Sequence, residues 1–182
     1  MRRLVSVFVM SVLLVPGISS AQGLSEEPIG TLAELMRGIF FSNANKLFDV
    51  QAVEPGGELP EMTPEVSEAV SAVVGSASAR FLSVYRGWPE VAGAAVALAD
   101  GAKLALLEGR SCENGVSAPF DNAEYIEGAR LLEESALNVL NGVREQDYEA
   151  VWDAVNYVNE SCTHCHRTFR DGPDSRQEPR CQ

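Results

Sequence analysis

The sequence predicts an all-α protein, and three observations carry that expectation. Apolar residues recur at helical spacing over long stretches, the apolar–polar alternation of strands is missing, and alanine, valine and leucine dominate with only 7% aromatics. Four amphipathic stretches joined by loops short enough for neighbours to pack against each other predict an antiparallel up-down-up-down four-helix bundle, its second helix long or broken near Gly87-Pro89. The chain divides into a signal peptide over residues 1–21, a bundle domain over 22–170 and a polar tail over 171–182.

Arg2 and Arg3 form a positive start, Val5 to Val15 is an almost unbroken apolar run, and Ser19-Ser20-Ala21 supplies the small residues of a cleavage site after Ala21. The run is short for a bilayer, and no later stretch reaches the roughly 18 apolar residues a membrane helix needs. An exported protein with no membrane span in its mature form is the expectation. Loss of Arg2 and Arg3 takes the 14 basic residues to 12 against 26 acidic ones, a net charge of −14. Such a surface repels nucleic acid and anionic lipid and favours basic partners, although acidity is also an ordinary route to solubility.

Each element follows from local signals. Thr31-Leu32-Ala33-Glu34 matches a capping box, and Ile29, Leu32, Met36, Ile39, Phe40, Leu47 and Val50 mark the inner face of a helix over 31–50. Asn43 and Asn45 interrupt its centre, facing water or capping a neighbour. Residues 52–62, with Pro55-Gly56-Gly57 and Pro60, read as a loop. Thr63-Pro64 opens a helical pattern to Tyr85, and Gly87-Trp88-Pro89 breaks or kinks it. A further segment to Glu108 carries Val91, Ala95, Leu98, Ala102 and Ala105 on one face. After a loop over 110–120, Asp121-Asn122-Ala123-Glu124 repeats the capping signature with Asp121 as the cap, and the helix to Val143 turns Tyr125, Ala129, Leu132, Ala136, Leu140 and Val143 inward. The last helix starts near Asp147, with Tyr148, Val151, Val155, Val158, Cys162, Cys165 and Phe169 on its apolar stripe.

That stripe contains Cys162-Thr163-His164-Cys165-His166, a Cys-x-x-Cys-His run. Two thiols three residues apart can each add across a haem vinyl group, and the following histidine then ligates the iron. With four Cys and two His in 182 residues, the pattern arises by chance about once in a thousand chains of this composition. Three other chemistries use the same residue types. A thioredoxin-like pair needs a preceding buried strand, which is missing. A disulfide between Cys162 and Cys165 closes too small a loop to stabilise much. A zinc-stapled structural module would use Cys162, Cys165, His166 and one of Cys112 or Cys181.

In the bundle topology the start of the first helix lies beside the end of the last. Met36 is therefore the candidate distal iron ligand opposite His166, with a core methionine as the even alternative. If Met36 only packs, Ile39 and Phe40 line an apolar five-coordinate pocket for small uncharged gases. His164 reads as exposed or near the haem edge. Arg167, Arg170 and Arg37 are placed to pair with haem propionates, and equally read as solvated charges. Trp88, Trp152 and Tyr157 fit core or interface. Cys112 and Cys181, an even remainder in an oxidising compartment, are expected to pair, tying the tail to the loop over 110–120.

On Cys162, Cys165 and His166, the Phe169-Arg170 pair and Leu35-Met36, the chain resembles the cytochrome c′ family in the broad sense that includes its low-spin, six-coordinate relatives. The resemblance spans the mature chain in layout, and only its Cys-x-x-Cys-His portion is specific. It implies an exported four-helix bundle with one covalent haem c bound through Cys162 and Cys165, His166 as proximal ligand, Met36 at the distal position and Arg170 on the proximal side. It also implies the homodimer that many members form through their first two helices. The segment over 52–87, the Cys112 loop and the cysteine-bearing tail depart from the compact family pattern.

The leading expectation is a periplasmic monohaem c-type cytochrome that passes single electrons to redox partner proteins. A five-coordinate haem protein that binds NO or CO, and the zinc-stapled module, are the alternatives. No acid, base and nucleophile form a catalytic constellation, so an enzyme is not expected.

Overall fold

The computed structural model describes residues 27–52, 54–57, 63–65, 67–68, 86–170 and 181. The expected signal peptide, most of the helix predicted over 63–85 and the tail except Cys181 lie outside the described residues. Among those described, the structure is helical, and the only β pairing is an isolated bridge between Ser111 and Ser117. No described helix is long and apolar enough to cross a membrane.

The first helix, α1 (residues 32–51), is one right-handed run assembled from Leu32–Leu35, a π-helical segment Met36–Phe41, Ser42–Phe48 and a closing 3-10 turn Asp49–Gln51. Its capping box forms: Glu34 N donates to Thr31 Oγ1 at 3.2 Å, and Thr31 N donates to Glu34 Oε2 at 2.8 Å. Ile29 corrects the sequence reading. It precedes the cap, escapes the helical period and is 99% exposed. Asn45 is exposed to water as expected and Asn43 is half-buried, and neither caps a neighbour. Their Nδ2 atoms donate back to the carbonyls of Ile39 (2.7 Å) and Phe41 (2.8 Å), inside the π segment.

The break expected near Gly87-Pro89 is the beginning of a new helix, α2 (Trp88–Ala105). Gly87 caps it at φ 69°, where a side chain would be strained, and Pro89 sits in the first turn, where its missing N–H leaves no bond unmade. The helix stops at Ala105, short of Glu108, because two later groups take its last carbonyls. Arg110 Nε donates to Leu104 O and the Tyr125 hydroxyl donates to Ala105 O, both at 3.1 Å. Arg110 is 5% exposed and also donates to Gly30 O at 2.7 Å, which fastens the start of α1 to the end of α2.

The cap of α3 (Ala123–Glu145) is Asn122 rather than Asp121. Asn122 N is held by Pro119 O at 2.9 Å, and its Oδ1 accepts from Glu124 N (2.9 Å) and Tyr125 N (3.3 Å). Gln146, left-handed at φ 54°, reverses the chain, and Asp147 Oδ1 caps α4 (Tyr148–Phe169) by accepting from Ala150 N at 3.0 Å.

The core lies where the predicted faces meet. Leu47 of α1, Leu98 of α2, Val139 of α3 and Val151, Val155 and Val158 of α4 are fully buried. Tyr125, Ala129, Leu132, Ala136, Leu140 and Val143 are all buried, as the period of α3 requires. The end of α1 meets the early part of α4, where Tyr148 Oη donates to Val50 O (3.1 Å) and Gln51 Nε2 to Asn156 Oδ1 (2.8 Å).

Candidate functional site

Helices α1, α2, α3 and α4 all line one cavity of about 470 Å³. From α1 come Met36, Arg37, Phe40, Phe41, Ala44, Asn45 and Phe48; from α2, Leu98, Ala102 and Ala105; from α3, Tyr125, Gly128, Ala129 and Leu132. The last turns of α4 supply Asn159, Ser161, Cys162, Thr163, Cys165, His166 and Arg170. The space exists because facing positions are small: Ala44, Ala102, Ala105, Gly128 and Ala129 leave volume that leucines would fill. Its size falls in the range of small-molecule and cofactor sites, roughly 300–1,000 Å³.

Spacing explains why the thiols and the imidazole share the cavity. Residues 162, 165 and 166 stand at i, i+3 and i+4, neighbours on one face of α4. Cys162 and Cys165 carry free, partly buried thiols. Burial raises the Cys162 thiol, and burial together with the neighbouring Cys162 pushes Cys165 up to about 11, so both are protonated at neutral pH. Gly128 makes room for the second of them: a β-carbon there would collide with the Cys165 sulfur. Tyr125 closes the wall, 3% exposed and edge-on to Phe169 with ring centroids 5.4 Å apart. Desolvation raises its phenol far above the usual range, so it stays a neutral donor to Ala105 O.

The residues singled out from the sequence divide as follows. Met36, Arg37, Cys162, Cys165, His166 and Arg170 all line the cavity. The Arg37 guanidinium, however, is held in a two-point pair with Glu113, at 2.6 and 3.3 Å, at the rim. Ile39 does not line the cavity: it rests over Gly101 of α2, where a β-carbon would meet Ile39 Cγ2 at 3.3 Å, and Phe41 joins Phe40 on the lining instead. The widened turn of the π segment accounts for that exchange, and such turns recur at functional sites. His164 and Arg167 are exposed. Trp152 and Tyr157 are exposed on α4, whereas Trp88 packs partly against the core.

Cys112 and Cys181 form a disulfide. Neither is then available as a fourth zinc ligand, and among the described residues no three His, Cys, Asp or Glu side chains converge as a metal-binding group. Gly128, Phe41, Phe48 and Asn159 were not expected in the lining. Gly128 alone left a signal, a glycine on the inward stripe of a helix interior, where alanine is favoured by about 1 kcal/mol unless something approaches closely. Comparison of the chain with family models, with curated proteins and with solved structures gives no match.

Proposed function

We propose that the protein is an exported monohaem c-type cytochrome, a single-electron carrier built as an antiparallel four-helix bundle like that of the broad cytochrome c′ family. The observation that carries the reading is the cavity itself, which gathers Cys162, Cys165 and His166 from α4 and Met36 from α1 around one largely apolar volume. The lining suits a flat apolar group with two covalent anchors: the thiols are one turn apart, protonated and partly exposed, and Gly128 clears space beside the second. Cys162 and Cys165 would hold haem through thioether bonds, His166 would be its proximal ligand and Met36 its distal one. Bound haem supplies reversible one-electron chemistry at iron. Phe40, Leu98 and Leu132 supply an apolar wall, and the Met36 thioether would favour the reduced state of iron held there. Arg170 lies on the α4 side of the cavity, and the acidic surface favours basic redox partners.

The test is the mass and optical spectrum of protein exported from cells that carry c-type haem maturation machinery. A mass raised by one covalent haem, with sharp low-spin reduced bands unresponsive to CO, is expected. The bare polypeptide mass overturns the reading. High-spin bands and ready CO binding keep the haem but replace electron transfer by gas binding. Met36→Ala converts the first spectrum into the second, and an unchanged low-spin spectrum removes Met36 from the ligand set.

A further inference from the structure

The loop between α2 and α3 is fixed at more points than a connection requires. Cys112, 1% exposed, is bonded to Cys181, and Cys181 N donates to Phe169 O at 3.3 Å, beside the end of α4. Cys112 N donates to Val116 O (2.7 Å), Ala118 N to Arg110 O (2.8 Å) and Leu32 N, at the first turn of α1, to Ser111 O (2.8 Å). Glu113 follows Cys112 directly, so this fixed backbone sets where its carboxylate lies. That carboxylate takes both ends of the Arg37 fork, from 76 residues away in sequence.

The pair is too exposed to matter for stability. With side chains 62% and 55% accessible, solvent screens its attraction. What it does fix is the place of a charge. Arg37 lines the cavity, and without Glu113 a flexible side chain would carry a positive charge at the mouth of a mostly apolar volume, opposed only by the weaker attraction of Glu34. We propose that Glu113 is a positioning residue for the cavity: from the disulfide-fixed loop it holds the Arg37 guanidinium at the rim and neutralises it. The reduction potential of the group bound inside is thereby set partly by the loop. The inference rests on the haem reading above, and its test separates the two.

Two measurements are needed on the full chain. Side-chain NMR of the Arg37 guanidinium, with or without haem, reads its immobilisation: Glu113→Gln and the double variant Cys112→Ser/Cys181→Ser both release it. The midpoint potential of the haem-loaded protein reads the charge. It rises in Glu113→Gln, which leaves Arg37 opposed only by the weaker attraction of Glu34, falls in Arg37→Gln, which leaves Glu113 uncompensated, and returns close to wild type in Arg37→Gln/Glu113→Gln. A merely structural pair would move both single variants in the same direction. An Arg37 signal unchanged in Glu113→Gln overturns the positioning role whatever the protein carries, as do single-variant potentials of the same sign. Release of Arg37 in a chain whose mass shows no haem overturns the haem reading, and with it the effect on potential, while the tether stands.

Discussion

The two ends of the contact between α3 and α4 use one device for opposite purposes. Near the turn, Gly142 lets α4 approach until a β-carbon would meet Val151 Cγ2 at 2.8 Å and Val151 N at 3.2 Å, and Val151 is fully buried there. Fourteen residues earlier, about 21 Å along the helix, Gly128 admits the Cys165 side chain in the same way, yet here the layers in front are small and the space stays open. One end is held by dense packing. The other is held by ties: the Cys112–Cys181 bond, Arg110 on Leu104 O and Gly30 O, and Leu32 N on Ser111 O. A cavity removes packing from the end that holds it, and covalent and hydrogen-bonded ties compensate.

Cutting the ties therefore costs most. The disulfide spans 69 residues, and closing a loop of that length in the unfolded chain is worth about 4 kcal/mol. Cys112→Ser/Cys181→Ser is expected to lose that much in denaturant unfolding, with a steeper slope, because the unfolded chain freed of the loop exposes more surface. At the packed end, Val151→Ala leaves a void in a dry core and is expected to cost about 2–3 kcal/mol. Ala102→Leu tests the reverse at the open end: it fills empty volume, changes the stability of the ligand-free chain by no more than about 1 kcal/mol, and, on the haem reading proposed above, lowers covalent haem content in the mass spectrum. A large loss of stability there would mean that the cavity is no real space.

The two glycines give a finer contrast. Alanine gains about 1 kcal/mol of helix propensity at either position, but the obstacles differ in kind. At Gly142 the obstacle includes the backbone of Val151, which cannot yield, so Gly142→Ala is expected to be destabilising by about 1–2 kcal/mol. At Gly128 it is the tip of a side chain, so Gly128→Ala leaves stability nearly unchanged and displaces the Cys165 sulfur; on the haem reading proposed above it yields protein with haem attached at Cys162 alone.

Legibility in the sequence follows the same division between local and distant causes. The inward faces of α2, α3 and α4 were readable because burial imposes the helical period directly, and Thr31 was readable as a cap because it acts on backbone three residues on, whereas Asp147 was read only as the start of its helix. The shift of the third cap from Asp121 to Asn122 depended on a turn closed by Pro119, one step beyond the motif. The π segment was not readable, since no residue type demands the wider turn, and it moved Ile39 onto Gly101 and Phe41 onto the cavity. The thiol and imidazole face of the site was written in one pentapeptide. Its opposite walls came from residues far along the chain, and the Arg37–Glu113 pair, 76 residues apart, left no local trace.

The smallest expected effect separates the wall of the cavity from its contents. Tyr125 faces the cavity, but its hydroxyl serves α2, donating to Ala105 O at a helix end where that carbonyl has no further turn to bond. Tyr125→Phe keeps the ring, its edge-on contact with Phe169 and the shape of the lining, and removes one buried hydrogen bond worth about 1 kcal/mol. Thermal unfolding should register that loss while haem content and optical spectrum stay as they are. A changed spectrum at unchanged stability would move Tyr125 from the scaffold into the site, and the division between ties and cavity would have to be redrawn at α3.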